Sequence, residues 1–169
     1  MASVHIARFV DMDYMFNISA GVGRGRPNQR LDVMLIQYLM NMAMNESVEG
    51  AVTSDAPIRP PDHPDALKTD GICGKDTQKF IDHYQTFRNA NASFSGGNKL
   101  PIQFAVKADG AIDPWRYPIV LNFGLAGGSA LGPSYTLVTL CYDAAKNSEI
   151  SQGSFRTMPP ELQRVLLAH

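Results

Sequence analysis

LKTDGICGKDTQKFIDHYQ, residues Leu67–Gln85, is the stretch whose reading decides the fold. Asp70 can accept hydrogen bonds from backbone amides just downstream, and Gly71 can adopt positive φ without steric cost, so Asp70-Gly71 predicts a tight turn. Ile72 is expected to point its apolar group inward and Gly74 to supply a second bend, with Lys75 opening a helix. Asp76 and Thr77 place oxygen acceptors in its first turn. Phe80, Ile81, Tyr84 and Phe87 then recur at i, i+1, i+4 and i+7, the apolar stripe of a helix over 75–90 that docks on an earlier one. Arg88 in the last turn and Asp76 in the first match the helix dipole.

The earlier helix is read over 31–45, LDVMLIQYLMNMAMN, a run dominated by strong helix formers. Asn28 is a candidate cap, with Asp32 near the positive helix end. Gln37, Asn41 and Asn45 recur every four residues as one polar stripe on an otherwise apolar surface, the pattern of a helix central to a core. Upstream, GVGRGRPNQR (21–30) is a basic, glycine-rich connector that cannot be helical. The segment 46–69 carries Pro57, Pro60, Pro61 and Pro64 and reads as a long loop.

Outside this pair of helices the pattern changes. A short strand is expected around Val4–Val10. Ile102–Val106 and Tyr135–Tyr142 are rich in β-branched and aromatic residues and predict strands. Tyr117–Leu125 fits a strand or a short helix, GLAGGSALGP after it a loop, and Thr157–His169 a short helix with Leu162, Val165 and Leu166 on one face. The fold class expected is therefore mainly α with some β, in a chain of 169 residues that suits one domain. LKTDGICGKD and VKADGAIDPW place Asp70-Gly71 and Asp109-Gly110 in similar settings, which predicts two equivalent turns in one fold.

Composition bounds the function. Basic and acidic residues nearly cancel, 15 against 16, so no global attraction to nucleic acid or an anionic membrane is indicated. MASVHIARFVDMDYMF has no basic leader before an apolar run, and no stretch suits a membrane span. The chain is expected to remain in the cytoplasm as made or to be exported by a leaderless route. Cys73 and Cys141 read as small buried residues, with one bridge between them left open.

Catalytic constellations find little support. His5, His63, His83 and His169 show neither HxxxD nor HExxH spacing, and Asp62-His63-Pro64-Asp65 reads as solvated loop rather than metal site. Glu46, Glu49 and Glu161 have ordinary places at helix ends and in a loop. Cys73 sits at an apolar position of its turn and Cys141 in an apolar run, neither suited to an activated thiol. Gly21-Val22-Gly23-Arg24-Gly25-Arg26 lacks the GxGxxG spacing of a phosphate loop, and with Arg30 it reads as a basic solvated turn. Trp115, Tyr117 and Tyr135 are aromatic residues of the kind that fill cores and less often stack on sugars. No catalytic residue, metal ligand or cofactor is expected.

Taken together, Gln37, Leu39, Asp70, Gly71, Ile72, Gly74, Thr77, Phe80, Ile81 and Gln85 resemble the motif of peptidoglycan-binding-like domains. Ile36-Gln37-Tyr38-Leu39-Met40-Asn41 is similar to the end of that family's first helix. Asp70-Gly71-Ile72-Cys73-Gly74 with Thr77 matches its turn, and Tyr84-Gln85 the end of its next helix. The resemblance spans residues 21–114 and implies a three-helix core, with residues 115–169 as a strand-containing extension packed on it. It also implies a non-catalytic module that binds the bacterial cell wall. The alternative is a structural or adaptor protein of a secreted or injected assembly that uses the same fold for protein contacts. The motif residues are expected to shape the helix start, leaving any binding surface beside them.

Overall fold

The computed structural model describes residues 3–9, 12–44, 59–63, 65–91, 106–115, 136–146, 150 and 153–167. The architecture is α+β: helices dominate and strands occur as two small antiparallel pairs. β1 (Ser3–Phe9) pairs with β2 (Met12–Asn17), Ser3 opposite Asn17 and Phe9 opposite Met12, with a bulge between Ile6 and Phe9. β1 agrees with the strand expected there. β2 follows directly and has no counterpart in the sequence reading, because Asp11 and Asp13 mask its alternation. β3 (Val22–Gly23) pairs with β4 (Ala111–Ile112), tying the glycine-rich connector to the second Asp-Gly turn.

The two expected helices are present as α1 (Arg30–Ala43) and α2 (Lys75–Asn91), and the C-terminal one as α4 (Pro160–Leu166). Burial of α1 on nearly every side follows from its composition, and Val33, Leu35, Ile36, Leu39 and Met40 are fully buried. Asn28 does not cap it. Gln29 occupies that position without a side-chain bond, while Asn28 adopts φ 52° and bonds Gly23 and Arg26 instead, holding the connector. Buried Asp32 does more than meet the helix dipole: its carboxylate accepts the Ser19 and Ala20 amides and the Ser19 hydroxyl, fixing the turn after β2.

The largest departure is at Tyr135–Tyr142. The described part of this apolar run is not a strand but a helix, α3 (Thr136–Ala144), packed chiefly on α1. Leu137, Val138, Leu140 and Cys141 are all buried, so no polar face sets a period. A short apolar run buried on every side has the same pattern as a core strand, and packing overrides β-propensity. Residues 102–105 and 117–125 lie outside the described residues, as do 46–58 of the long loop. The described remainder of that loop is non-helical, as expected from its prolines.

One hydrophobic cluster joins β2, α1, α2, α3 and α4, from Met15 to Leu166. Among the described residues it contains one fully buried ion pair. Arg88 and Asp143 are fully buried and paired, linking α2 to α3, with the Tyr84 hydroxyl donating to the second Asp143 oxygen at 2.6 Å. Among the described residues, Nε and Nη1 of the Arg88 guanidinium have no hydrogen-bond acceptor. Losing Asp143 would therefore strand a charge in the core. Asp143→Ala is expected to cost about 4 kcal/mol in urea unfolding. The double variant Arg88→Met, Asp143→Leu should lose far less; equal losses would show that the pair is not coupled.

Candidate functional site

Gln37 lies at the centre of the motif, buried on α1. Its side-chain carbonyl accepts the Gly71 amide at 2.9 Å. Its nitrogen faces the Ile72 carbonyl at 3.1 Å, the Thr77 hydroxyl at 3.0 Å and an Asp70 oxygen at 3.2 Å. The same Asp70 oxygen accepts the Ile72 amide at 2.9 Å, closing the turn. One turn along α1, Asn41 pairs with both backbone groups of Leu67, accepting its amide at 2.8 Å and donating to its carbonyl at 2.7 Å. Gln37 and Asn41 of the polar stripe expected on α1 thus form an amide ladder that receives the incoming loop, while Asn45 lies outside the described residues. A loop that leaves water must pair its backbone groups, and here side-chain amides replace a neighbouring strand.

The second Asp-Gly turn repeats this arrangement on α2. Gln85 accepts the Gly110 amide at 2.9 Å, donates to the Ala111 carbonyl at 2.8 Å, and lies 3.4 Å from the Thr136 hydroxyl of α3. Asp109 accepts the Ala111 amide at 3.1 Å, and Asn89 accepts the Val106 amide at 2.9 Å. Lys68 pairs with Asp70 and Lys107 with Asp109. The correspondence runs residue by residue. Gln37-x-x-x-Asn41 with Leu67-Lys-Thr-Asp-Gly-Ile72 matches Gln85-x-x-x-Asn89 with Val106-Lys-Ala-Asp-Gly-Ala111. The shared spacing of Gln and Asn is a signal in the sequence that the Asp-Gly echo alone does not exploit.

Most expected motif residues are brought together here. Leu39, Phe80 and Ile81 are buried in the core around the first turn, and Thr77 is a hub, donating to the Ile72 carbonyl at 3.2 Å. Two differ from expectation. Ile72 does not point inward: it is 65% exposed, because the bonds to Gln37 and Asp70 turn its backbone polar groups to the protein and its side chain to solvent. Gly74 has ordinary backbone and open space where a Cβ would be, so it makes no glycine-specific bend. Gly71 does require glycine: its φ is 76°, and a Cβ there would stand 2.6 Å from the Arg30 carbonyl oxygen.

The other candidates fall into supporting roles. Arg24 pairs with Asp82, Arg26 grips Asp113 through two bonds of 2.6 and 2.8 Å, and Arg30 pairs with Glu161, so the basic cluster braces the connector. In the proline-rich loop, Asp62 pairs with Lys79, and His63 lies 3.6 Å from Asp76 and edge-on to Phe80. Trp115 is buried, its indole donating to the Phe16 carbonyl while its backbone pairs with the Asn17 amide. Both cysteines are free thiols; Cys141 is buried and Cys73 half-buried. Burial raises both pKa values, that of Cys141 to about 12, so each is protonated at neutral pH. Among the described residues, no three His, Cys, Asp or Glu side chains gather as a metal site. Nor is any helix long and apolar enough to cross a membrane among those residues.

No protein-family model matches this chain, and no curated protein or solved structure matches it.

Gln37→Ala is expected to destabilise the protein by about 3 kcal/mol, since it leaves buried backbone groups unpaired. Gln85→Ala should behave alike. Gly71→Ala should cost about 2 kcal/mol or more, whereas Gly74→Ala should be neutral or stabilise by about 0.5 kcal/mol. Thermal or urea unfolding of the four variants checks the set. Acid unfolding checks the turns. The Ile72 amide, with Gln37 and Lys68, holds the Asp70 carboxyl below its ordinary pKa against the upward pull of burial. For Asp109, burial pushes upward, but Lys107, the Ala111 amide and Arg26 outweigh it. Both folded pKa values are depressed, so their stabilisation is full above the ordinary carboxylate range and fades as pH falls through the folded values. Asp70→Asn and Asp109→Asn should flatten that acid limb; an unchanged slope would contradict the assignment.

Proposed function

We propose that this chain is a non-catalytic module that binds bacterial peptidoglycan. The observation that carries the reading is the clamped Asp70-Gly71 turn set between two helices. Gln37, Thr77 and Gln85 of the motif are all engaged in bonds that shape it or its repeat. The motif thus has the internal logic of a recognition scaffold: buried polar groups are spent on holding turns, and the surface of the turn is left for contact. Near the first turn Asp70 pairs with Lys68, Asp62 with Lys79, and His63 lies beside Asp76.

A second reading, a structural or adaptor component of a larger assembly, rests on the exposed apolar side chains Ile72 and Leu167. It uses the same fold for protein contacts.

Cosedimentation with purified peptidoglycan sacculi at physiological salt separates them. Wall binding predicts retention in the pellet above that of an unrelated protein of equal charge. Retention no greater than that control, with the chain recovered from cells in a stable protein complex, would replace the first reading by the second.

A further inference from the structure

The sequence contains the dipeptide Asp-Gly twice, at Asp70-Gly71 and Asp109-Gly110, and Asn-Gly nowhere. Asp-Gly peptides are prone to spontaneous rearrangement, because glycine has no Cβ to hinder the approach of its nitrogen to the preceding carboxyl carbon. The only co-reactant is water. The glycine nitrogen loses its proton to a solvent base and bonds to Cγ of the Asp in its neutral acid form. The Cγ–OH bond breaks, and the hydroxide leaves with a proton as water, closing a succinimide ring. Water then adds to one of the two ring carbonyls. Addition at Cγ breaks the new bond and restores Asp. Addition at the main-chain carbon breaks the original peptide bond, and the chain then runs through Cβ and Cγ as isoaspartate.

Ring closure needs groups that the clamps hold. The Gly71 amide donates its proton to the buried Gln37 side-chain carbonyl at 2.9 Å, and the Gly110 amide to that of buried Gln85 at 2.9 Å. A solvent base removes such a proton only after the bond opens, which is also the condition for hydrogen exchange. The carboxyl groups are tied as well. One Asp70 oxygen accepts the Ile72 amide at 2.9 Å and faces the Gln37 nitrogen at 3.2 Å, and an Asp109 oxygen accepts the Ala111 amide at 3.1 Å. Lys68 pairs with Asp70 and Lys107 with Asp109 as carboxylates, and a carboxylate has no leaving group to expel. We propose that Asp70-Gly71 and Asp109-Gly110 are two latent sites of backbone isomerisation to isoaspartate, each kept closed by its own glutamine, Gln37 for the first and Gln85 for the second. Conversion at either site adds a carbon to the main chain, which moves the glycine amide out of register with its glutamine, so the turn does not clamp again as before. This chemistry is independent of whether the chain binds the cell wall.

Ageing of the full chain at neutral pH in ¹⁸O-enriched water tests this. Each passage through the ring leaves one heavy oxygen at the site, whether Asp or isoaspartate forms, and peptide mapping by mass spectrometry reads both products. The folded protein is expected to take up label at Asp70 and Asp109 at least about 100-fold more slowly than the same chain in guanidinium chloride. Label entering either site of the folded protein at the unfolded rate would overturn the inference. Gln37→Ala, aged where its circular dichroism matches that of the wild type, should label Asp70 at least about tenfold faster than the wild type, with Asp109 unchanged. Gln85→Ala should do the opposite. Equal acceleration at both sites in each folded variant would also overturn the inference, since general loosening would then govern both turns. Should a variant not fold, the wild type decides. Label must enter each site at the unfolded rate divided by the hydrogen-exchange protection of its own glycine amide, and faster entry contradicts the gate.

Discussion

The bond between the Gln37 side chain and the Asp70-Gly71 turn is the constraint on which the rest of the structure depends. The loop before α2 arrives with unpaired backbone groups and no strand beside it among the described residues. Gln37 supplies an acceptor and a donor in the geometry of a peptide group, so the turn docks on a helix as it would on a sheet edge. Thr77 bonds to the same amide, which fixes the first turn of α2 relative to α1. Gln85 on α2 then does the same for the next turn, and Thr136 for α3. α1 and α2 thereby each position the turn that follows and touch the next helix.

This chain of clamps also accounts for the buried charges. α3 joins the second clamp at one end through Thr136 and the core ion pair at the other through Asp143. A buried Arg–Asp pair is poor evidence of net stability, because desolvation offsets much of the attraction. Its directional bonds do favour one placement of α3 on α2, and the Tyr84 hydroxyl adds a third constraint on Asp143. Packing of Leu137, Leu140 and Cys141 into the common core supplies apolar burial that has no direction of its own.

Much of this is legible in the residues. α1, α2 and α4 follow from helix formers and apolar period, and the Asp-Gly turns follow from turn chemistry. α3 is not legible as a helix, because a segment buried on all sides carries no amphipathic period. The direction of Ile72 escapes the sequence for a different reason. Hydrophobicity suggests burial, but the hydrogen bonds of its own backbone decide which way the residue faces. Asn28 misleads because its side chain bonds across the connector rather than to α1. The partners of Arg24, Arg26 and Arg30 come from distant segments, so no local pattern reveals that the basic cluster is neutralised.

The central claim is that two buried glutamine side chains hold two loop turns as firmly as a sheet would. Native-state hydrogen exchange of the Gly71 and Gly110 amides measures this in the unmodified protein. Both amides lie in turns and donate to side-chain carbonyls. The account predicts that both exchange only with global unfolding, at the protection of the α1 core. Exchange of either amide at the rate of an open loop would contradict it.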